Sequence, residues 1–123
     1  MKVTQQKFIE LVLQSYEKLP LQIKEVLGNV DVVVEPWPAL DDCRGIGVRG
    51  RNGLMGLYSG IPLTDRGSYL PVMPDKITIF QRPIERVSGS LVAMVREVEL
   101  TLLHEVGHYL GMSEADLNRL GYA

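Results

Sequence analysis

The stretch SLVAMVREVELTLLHEVGHYLGMSEAD, residues 90–116, decides how this chain folds. Apolar residues recur in it at helical spacing, so we predict one helix over residues 90–110, about 30 Å long. Gly111 follows as a typical C-terminal stop for a helix. Ser113 is a typical N-cap, and with Asp116 three residues later it loosely fits a capping box. The pattern therefore predicts a long helix, a sharp turn and a last short helix.

The long helix carries both histidines of the chain, in the sequence His104-Glu105-Val106-Gly107-His108. Residues i and i+4 lie on one helix face with Cβ atoms about 5–6 Å apart. Two imidazoles at that spacing can converge on one Zn²⁺ at about 2.0–2.1 Å. Glu105 can reach a water on the metal without being a ligand, which suits a general base. The alternative is a pair of surface histidines, but these would not need Gly107, which costs a helix interior about 1 kcal/mol.

The third metal ligand has to come from another residue type, because catalytic zinc usually has three protein ligands. The chain has no further histidine and a single cysteine, so the ligand is a carboxylate or Cys43. In the metzincin form of the motif, a glycine lets the chain turn and the residue three positions later returns to the metal. Here that residue is Glu114, with Asp116 as the alternative. The competing interpretation is that Glu114 is an acidic residue favoured by a helix N-terminus.

Upstream of residue 90 the patterns are shorter and mostly extended. We predict an amphipathic helix at residues 4–19 and a short helical turn at residues 21–27. Strands are predicted at residues 30–35, 54–59 and 76–81, with a loop at residues 39–52 and a turn at residues 64–68. The order α, β, β, β, α, α indicates an α+β fold.

Length and composition set outer bounds on the function. The 123 residues are expected to form a single domain, residues 1–123. A net charge of −2 offers no basic surface for nucleic acid or anionic lipid. No apolar stretch is long enough to span a membrane. The N-terminus has neither the long apolar core nor the small-residue cleavage site of a secretory signal. One cysteine, Cys43, cannot form an internal disulfide, which fits a free thiol in a reducing compartment. A cytoplasmic protein is therefore expected.

At the histidine motif the sequence resembles the small bacterial zincin-like metallopeptidases, sometimes called minimal zincins. The resemblance extends beyond the residues 104–111, HEVGHYLG, to three further stretches. These are FIELV through LP at residues 8–20, GLYSGIPLT at residues 56–64 and PDKITIFQRPI at residues 74–84. Together the four stretches span nearly the whole chain, and the metal motif is the most specific of them.

The resemblance implies a zincin-like fold, with a small mixed sheet packed against an N-terminal helix and the HExxH helix. It also implies an edge strand that binds extended peptide by backbone hydrogen bonds. Residues 76–82 are the first candidate for that strand, and residues 54–59 are the alternative. The sequence departs from larger relatives in having Glu114 where they have histidine, in lacking room for a Met-turn, and in lacking a second subdomain.

These features predict a zinc metallopeptidase that acts on a peptide or protein, with His104, His108 and Glu114 as metal ligands. A metal-activated water would attack the peptide bond, and Glu105 would be its general base. The first alternative is a non-catalytic, metal-stabilised module that binds a peptide or protein. The second is a hydrolase of small amides that uses Fe²⁺ or Ni²⁺.

Tyr58, between two glycines, is interpreted first as a packing residue and second as an oxyanion donor. Substrate specificity and oligomeric state are left open.

Overall fold

The computed structural model of the chain describes residues 1–28, 30–39, 53–60 and 75–121. These residues contain five α-helices and three β-strands. In chain order they are α1 (Gln5–Glu17), α2 (Leu21–Val26), β1 (Val30–Glu35), β2 (Gly56–Ser59), β3 (Asp75–Phe80), α3 (Gln81–Val87), α4 (Leu91–Tyr109) and α5 (Glu114–Leu120). The predicted turn at residues 64–68 lies outside the described residues, as does the predicted loop beyond residue 39, with Cys43 in it.

The three strands form one mixed sheet in the order β1-β3-β2. β3 is parallel to β1 and antiparallel to β2, so it is the central strand. Its residues Ile77 and Ile79 have no exposed surface, because they enter the core between sheet and helices. The prediction of an α+β fold with a small mixed sheet is therefore confirmed. The choice of residues 76–82 as an edge strand is wrong, because β3 has a neighbour on each side.

Two long helices, α1 and α4, pack together on one face of the sheet. Each begins at a hydroxyl cap, since Thr4 Oγ1 accepts the Lys7 N–H at 3.1 Å and Ser90 Oγ accepts the Ala93 N–H at 3.1 Å. Their facing sides bury large apolar residues, each of which stabilises the fold by about 1.5–3 kcal/mol. These residues are Phe8, Leu11 and Val12 of α1 and Met94, Val98, Leu102 and Val106 of α4. No helix within the described residues is both long and apolar enough to cross a membrane.

Helix α3 is absent from the sequence-based prediction, which ended a strand at residue 81 and placed no helix between there and residue 90. The structure places Pro83 as the third residue of α3. Proline is tolerated there because the first N–H groups of a helix have no partner within it. The chain therefore passes directly from β3 into α3, and the Arg82 N–H bonds the Pro36 carbonyl at 3.0 Å.

The buried carboxylate of Glu85 ties the N-terminal segment to α3. Its Oε2 accepts the Val3 N–H at 2.9 Å and the Gln81 Nε2–H at 3.1 Å, and its Oε1 accepts Arg82 Nη1 at 2.6 Å. Burial alone would raise the pKa of Glu85. The hydrogen bonds from Val3, Arg82 and Gln81 outweigh burial and hold this pKa below its ordinary value of 4.5.

Candidate metal centre

Helix α4 presents His104 and His108 on one face, one turn apart, as predicted. Their Nε2 atoms lie 3.1 Å from each other, and their rings meet edge to face with centroids 4.8 Å apart. The side chains are 20% and 27% exposed, so they border an accessible surface and are not buried in the core. Two ring nitrogens this close could share a cation between them.

Gly111 turns the chain after α4 and brings the next helix back over it. Its φ of +88° is a conformation that other residues rarely adopt. The Gly111 N–H bonds the His108 carbonyl at 3.0 Å, and the Met112 N–H bonds the Gly107 carbonyl at 2.9 Å. These two hydrogen bonds fix the turn, and α5 then begins at Glu114 beside the two histidines.

The Glu114 carboxylate completes a triangle of donor atoms. Its Oε1 lies 2.8 Å from His108 Nε2 and 3.2 Å from His104 Nε2. A tetrahedral ion with bonds of about 2.0–2.1 Å needs donors about 3.3 Å apart. Two of the separations, 3.1 and 3.2 Å, fall just below that value, and the third, 2.8 Å, is shorter. Two imidazoles with one carboxylate suit Zn²⁺. The residues present therefore fit a single divalent cation.

Asp116, the alternative to Glu114, is engaged elsewhere. Its Oδ2 accepts the Ser113 N–H at 3.0 Å while the Ser113 hydroxyl accepts the Asp116 N–H at 3.2 Å. This is the capping box expected from the sequence. Asp116 also forms an ion pair with Arg119, one turn later. The geometry thus favours Glu114 over Asp116 as the carboxylate near the histidines. Cys43 lies outside the described residues.

The other ring nitrogen of His108 is held by the turn after α4. His108 Nδ1 lies 3.2 Å from the Met112 carbonyl oxygen. Because a carbonyl only accepts, a hydrogen bond here requires the proton on Nδ1, and a ring that binds a metal ion through Nε2 would have this tautomer. The ring is therefore oriented with its lone pair toward the triangle of donors.

Glu105 lies beside the donor triangle but is held by β2. It is 6% exposed, and its Oε1 accepts the Tyr58 backbone N–H at 2.8 Å. Its Oε2 lies 4.0 Å from His104 Nε2, so one carboxylate oxygen faces the histidines while the other is anchored. Burial raises the pKa of Glu105, although His104, His108 and the Tyr58 N–H each act to lower it. The ligand atoms of His104, Glu105 and His108 all lie within 4.8 Å of one another.

Gly56 makes this approach of β2 to α4 possible. A Cβ at Gly56 would lie 2.6 Å from Thr101 Cγ2 and 3.2 Å from Glu105 Cγ, closer than atoms normally pack. A glycine inside a strand often marks a close approach of this kind. The hydrogen bond from Tyr58 has no sequence signature of its own, because every residue except proline has a backbone N–H. Sequence reasoning therefore missed the contact, although Gly56 was a visible signal for it.

The Tyr58 side chain behaves chiefly as a packing residue. Its hydroxyl donates to Asp75 Oδ1 at 3.1 Å, and Asp75 is only 3% exposed. Its ring packs edge-on against Tyr109, with centroids 5.6 Å apart. The phenol thus connects β2 to β3 and to α4, which fits the first interpretation of Tyr58.

Comparisons with known proteins agree with this geometry. The sequence matches the family of zincin-like metallopeptidases over residues 27–122. Among solved structures, the fold is similar to a conserved hypothetical protein from Thermus thermophilus, with 26% sequence identity and a TM-score of 0.59. That similarity covers 88% of this chain and 94% of the other. No curated protein matches the chain. Since the family match extends over most of the sequence and includes the histidine helix, the chain belongs to the zincin-like metallopeptidase family.

Proposed function

We propose that this protein is a zinc-dependent peptidase. One observation carries the proposal: His104, His108 and Glu114 bring three donor atoms within 3.2 Å of one another, and the buried Glu105 carboxylate lies directly beside them. Structural zinc sites are normally closed by four protein ligands, whereas catalytic sites leave one position open. Three donors with a neighbouring carboxylate that stands outside the triangle match the catalytic arrangement.

His104, His108 and Glu114 would hold the ion through the two Nε2 atoms and Glu114 Oε1. When bound, such an ion polarises a scissile carbonyl and lowers the pKa of a coordinated water. The histidines provide neutral ligands, and the Met112 carbonyl keeps His108 in the required orientation. Glu114 adds one negative charge, so the three protein ligands together balance half the charge of a divalent cation.

Glu105 would move the proton. Its Oε2 faces the histidines, so this oxygen accepts a proton as a water oxygen adds to the carbonyl carbon. The same proton then passes to the amide nitrogen as the carbon–nitrogen bond breaks, which releases a carboxylic acid, with the second proton of the water, and an amine. The Tyr58 N–H holds Oε1 at 2.8 Å, so the carboxylate does not need to reorient between the two steps.

The substrate we propose is an extended segment of peptide that lies along β2. This strand is at one end of the sheet formed by the described residues, and it is the strand that contacts Glu105. In an antiparallel pair, alternate residues point their backbone groups away from the partner strand. The Phe80 N–H bonds the Met55 carbonyl, so by alternation Gly56 and Tyr58 point away from β3. The Tyr58 N–H is occupied by Glu105, so the peptide would pair with the remaining outward groups of this side and place a carbonyl near the donor triangle.

The test is peptide cleavage by the full chain loaded with Zn²⁺. Peptide libraries would be incubated with the wild type, Glu105→Gln and Glu99→Gln, and the products identified by mass spectrometry. Glu99→Gln is a matched control, because Glu99 lies on the same helix but pairs with Lys18, away from the site. We expect equal cleavage by the wild type and Glu99→Gln, and a loss of about 10²–10⁴-fold in Glu105→Gln with zinc retained.

Two outcomes would overturn the proposal in different ways. Undiminished turnover by Glu105→Gln would remove Glu105 as the base. Peptide binding to the zinc-loaded protein without any cleavage that depends on Glu105 would favour a non-catalytic binding module.

A further inference from the structure

We infer that Gly107 is a positioning residue that sets where α5, and with it Glu114, lies relative to the two histidines. This inference rests on the proposed metal site. Gly107 lies on α4 between His104 and His108, and it is buried although it has no side chain. What covers it is α5, the helix that carries Glu114.

The contact between Gly107 and α5 has no room for a side chain. A Cβ at Gly107 would lie 2.4 Å from Leu117 Cδ2, 3.4 Å from Leu117 Cγ and 3.4 Å from Met112 Sδ. Carbon atoms pack at about 3.5–4.0 Å, so Leu117 would have to move by more than about 1 Å. Leu117 has no exposed surface, and it cannot swing into solvent to make room.

Leu117 and Glu114 move together because they belong to the same short helix. They are three residues apart, which places them on the same side of α5, about one turn from each other. A displacement of Leu117 away from α4 therefore carries the Glu114 backbone away from the histidines. Metal–ligand distances tolerate only about 0.2 Å of error, so the displacement weakens ligation. Rotation of the long Glu114 side chain recovers only part of it.

The turn between the helices depends on the same residue. The Gly107 carbonyl accepts the Met112 N–H, and the Met112 carbonyl in turn lies against His108 Nδ1. A Cβ at residue 107 would touch Met112 Sδ at 3.4 Å, whereas it would clash with Leu117, so Met112 would shift only as α5 shifts. Gly107 thus affects both the position of Glu114 and the orientation of His108. This accounts for a glycine in a helix interior, where glycine lowers helix stability.

The experiment measures zinc affinity by competition with a chromophoric chelator, together with the visible spectrum of the Co²⁺-loaded protein. Gly107→Ala is expected to weaken zinc binding by about 10–100-fold. It should also lower the Co²⁺ band intensity, as expected when a water replaces a protein ligand. Gly89→Ala is the matched control, because no atom lies within 4 Å of a Cβ added there, and it should leave both readouts unchanged. Circular dichroism of each variant checks that the helices are retained.

Two further backgrounds separate positioning from a general loss of fold. In the Leu117→Ala background there is space for a methyl group at residue 107, so adding Gly107→Ala should not lower zinc affinity further. This comparison remains possible even if Gly107→Ala alone unfolds the protein. In the Glu114→Ala background the carboxylate ligand is absent, so Gly107→Ala can weaken zinc binding only through His108. The loss of zinc affinity caused by Gly107→Ala should then be several-fold smaller than in the wild type.

Unchanged zinc affinity in Gly107→Ala would overturn the inference and leave the proposed peptidase intact. An equal loss in the wild-type and Leu117→Ala backgrounds would also overturn it. A wild type that binds zinc but cleaves no peptide would overturn the proposed peptidase function instead, and the zinc affinities of the variants could still be compared.

Discussion

Replacing Gly56 with alanine should destabilise the protein, although the same change at an unhindered glycine stabilises it. At a site without clashes, Gly→Ala stabilises by roughly 0.4–1 kcal/mol, because the unfolded chain loses conformational freedom. At Gly56 the new Cβ would lie 2.6 Å from Thr101 Cγ2 and 3.4 Å from the Thr78 carbonyl oxygen. The sign of the change in the free energy of unfolding therefore tests whether β2 and α4 are in this close contact.

The size of the effect follows from the same distances. To restore an ordinary contact of about 3.6 Å, β2 would have to move from α4 by about 1 Å. That movement stretches the Tyr58 N–H hydrogen bond to Glu105 Oε1, now 2.8 Å, beyond the range of a hydrogen bond. Overpacking costs about 1–3 kcal/mol. After the backbone gain is subtracted, we expect a net loss of about 1–2 kcal/mol, or about 4–8 °C in Tm.

Urea denaturation and thermal unfolding of Gly56→Ala, with Gly89→Ala as the control, measure this change. Thr101→Ser removes the methyl group nearest to the new Cβ, so the double variant Gly56→Ala/Thr101→Ser should recover most of the lost stability. A Gly56→Ala protein as stable as the wild type, or no recovery in the double variant, would refute the reasoning.

Three further predictions concern stability and metal binding. Ionised Glu85 stabilises the fold above its unfolded-state pKa of about 4.5, and since its folded pKa is lowered, this contribution disappears as the pH falls through the lowered value. Glu85→Gln should therefore flatten the acid limb of a stability curve measured by urea denaturation against pH, and an unchanged acid limb would contradict this. Ser113→Ala removes the N-cap of α5 and should cost about 1 kcal/mol, measured by thermal unfolding; a variant as stable as the wild type would contradict the role of the capping box. Zinc at a hundred times its Kd should raise the free energy of unfolding by about 2.7 kcal/mol, and a chelator or Glu114→Ala should reduce that gain; a Tm that does not respond to zinc would contradict the metal site.

Local patterns allowed much of the helix framework to be predicted from the sequence. The predicted helix at residues 90–110 is observed as Leu91–Tyr109, because hydrophobic periodicity and a serine cap both act within the segment. The β-branched run predicted as a strand is observed as Val30–Glu35. Gly111 also allowed Glu114 to be predicted as the carboxylate near the histidines. A glycine turn and the residue three positions after it can both be recognised in the local sequence.

Features that depend on distant parts of the chain were not predictable in the same way. Strand order is one of them, because nothing within residues 76–81 shows that β3 pairs on both sides. Helix α3 is another, because a proline usually indicates the end of an element. The local sequence does not show that Pro83 lies in the first turn of a helix. The anchor of Glu105 is a backbone N–H from a strand 47 residues earlier in the chain, which leaves only Gly56 as a trace in the sequence.

The most direct test of the proposed metal site is a crystal structure of the zinc-loaded protein, with anomalous diffraction recorded at the zinc edge. We predict one anomalous peak, bonded to His104 Nε2, His108 Nε2 and Glu114 Oε1 at about 2.0–2.2 Å, with Glu105 close by but not bonded. An ion bound elsewhere, or histidine rings that do not share one ion, would contradict this prediction.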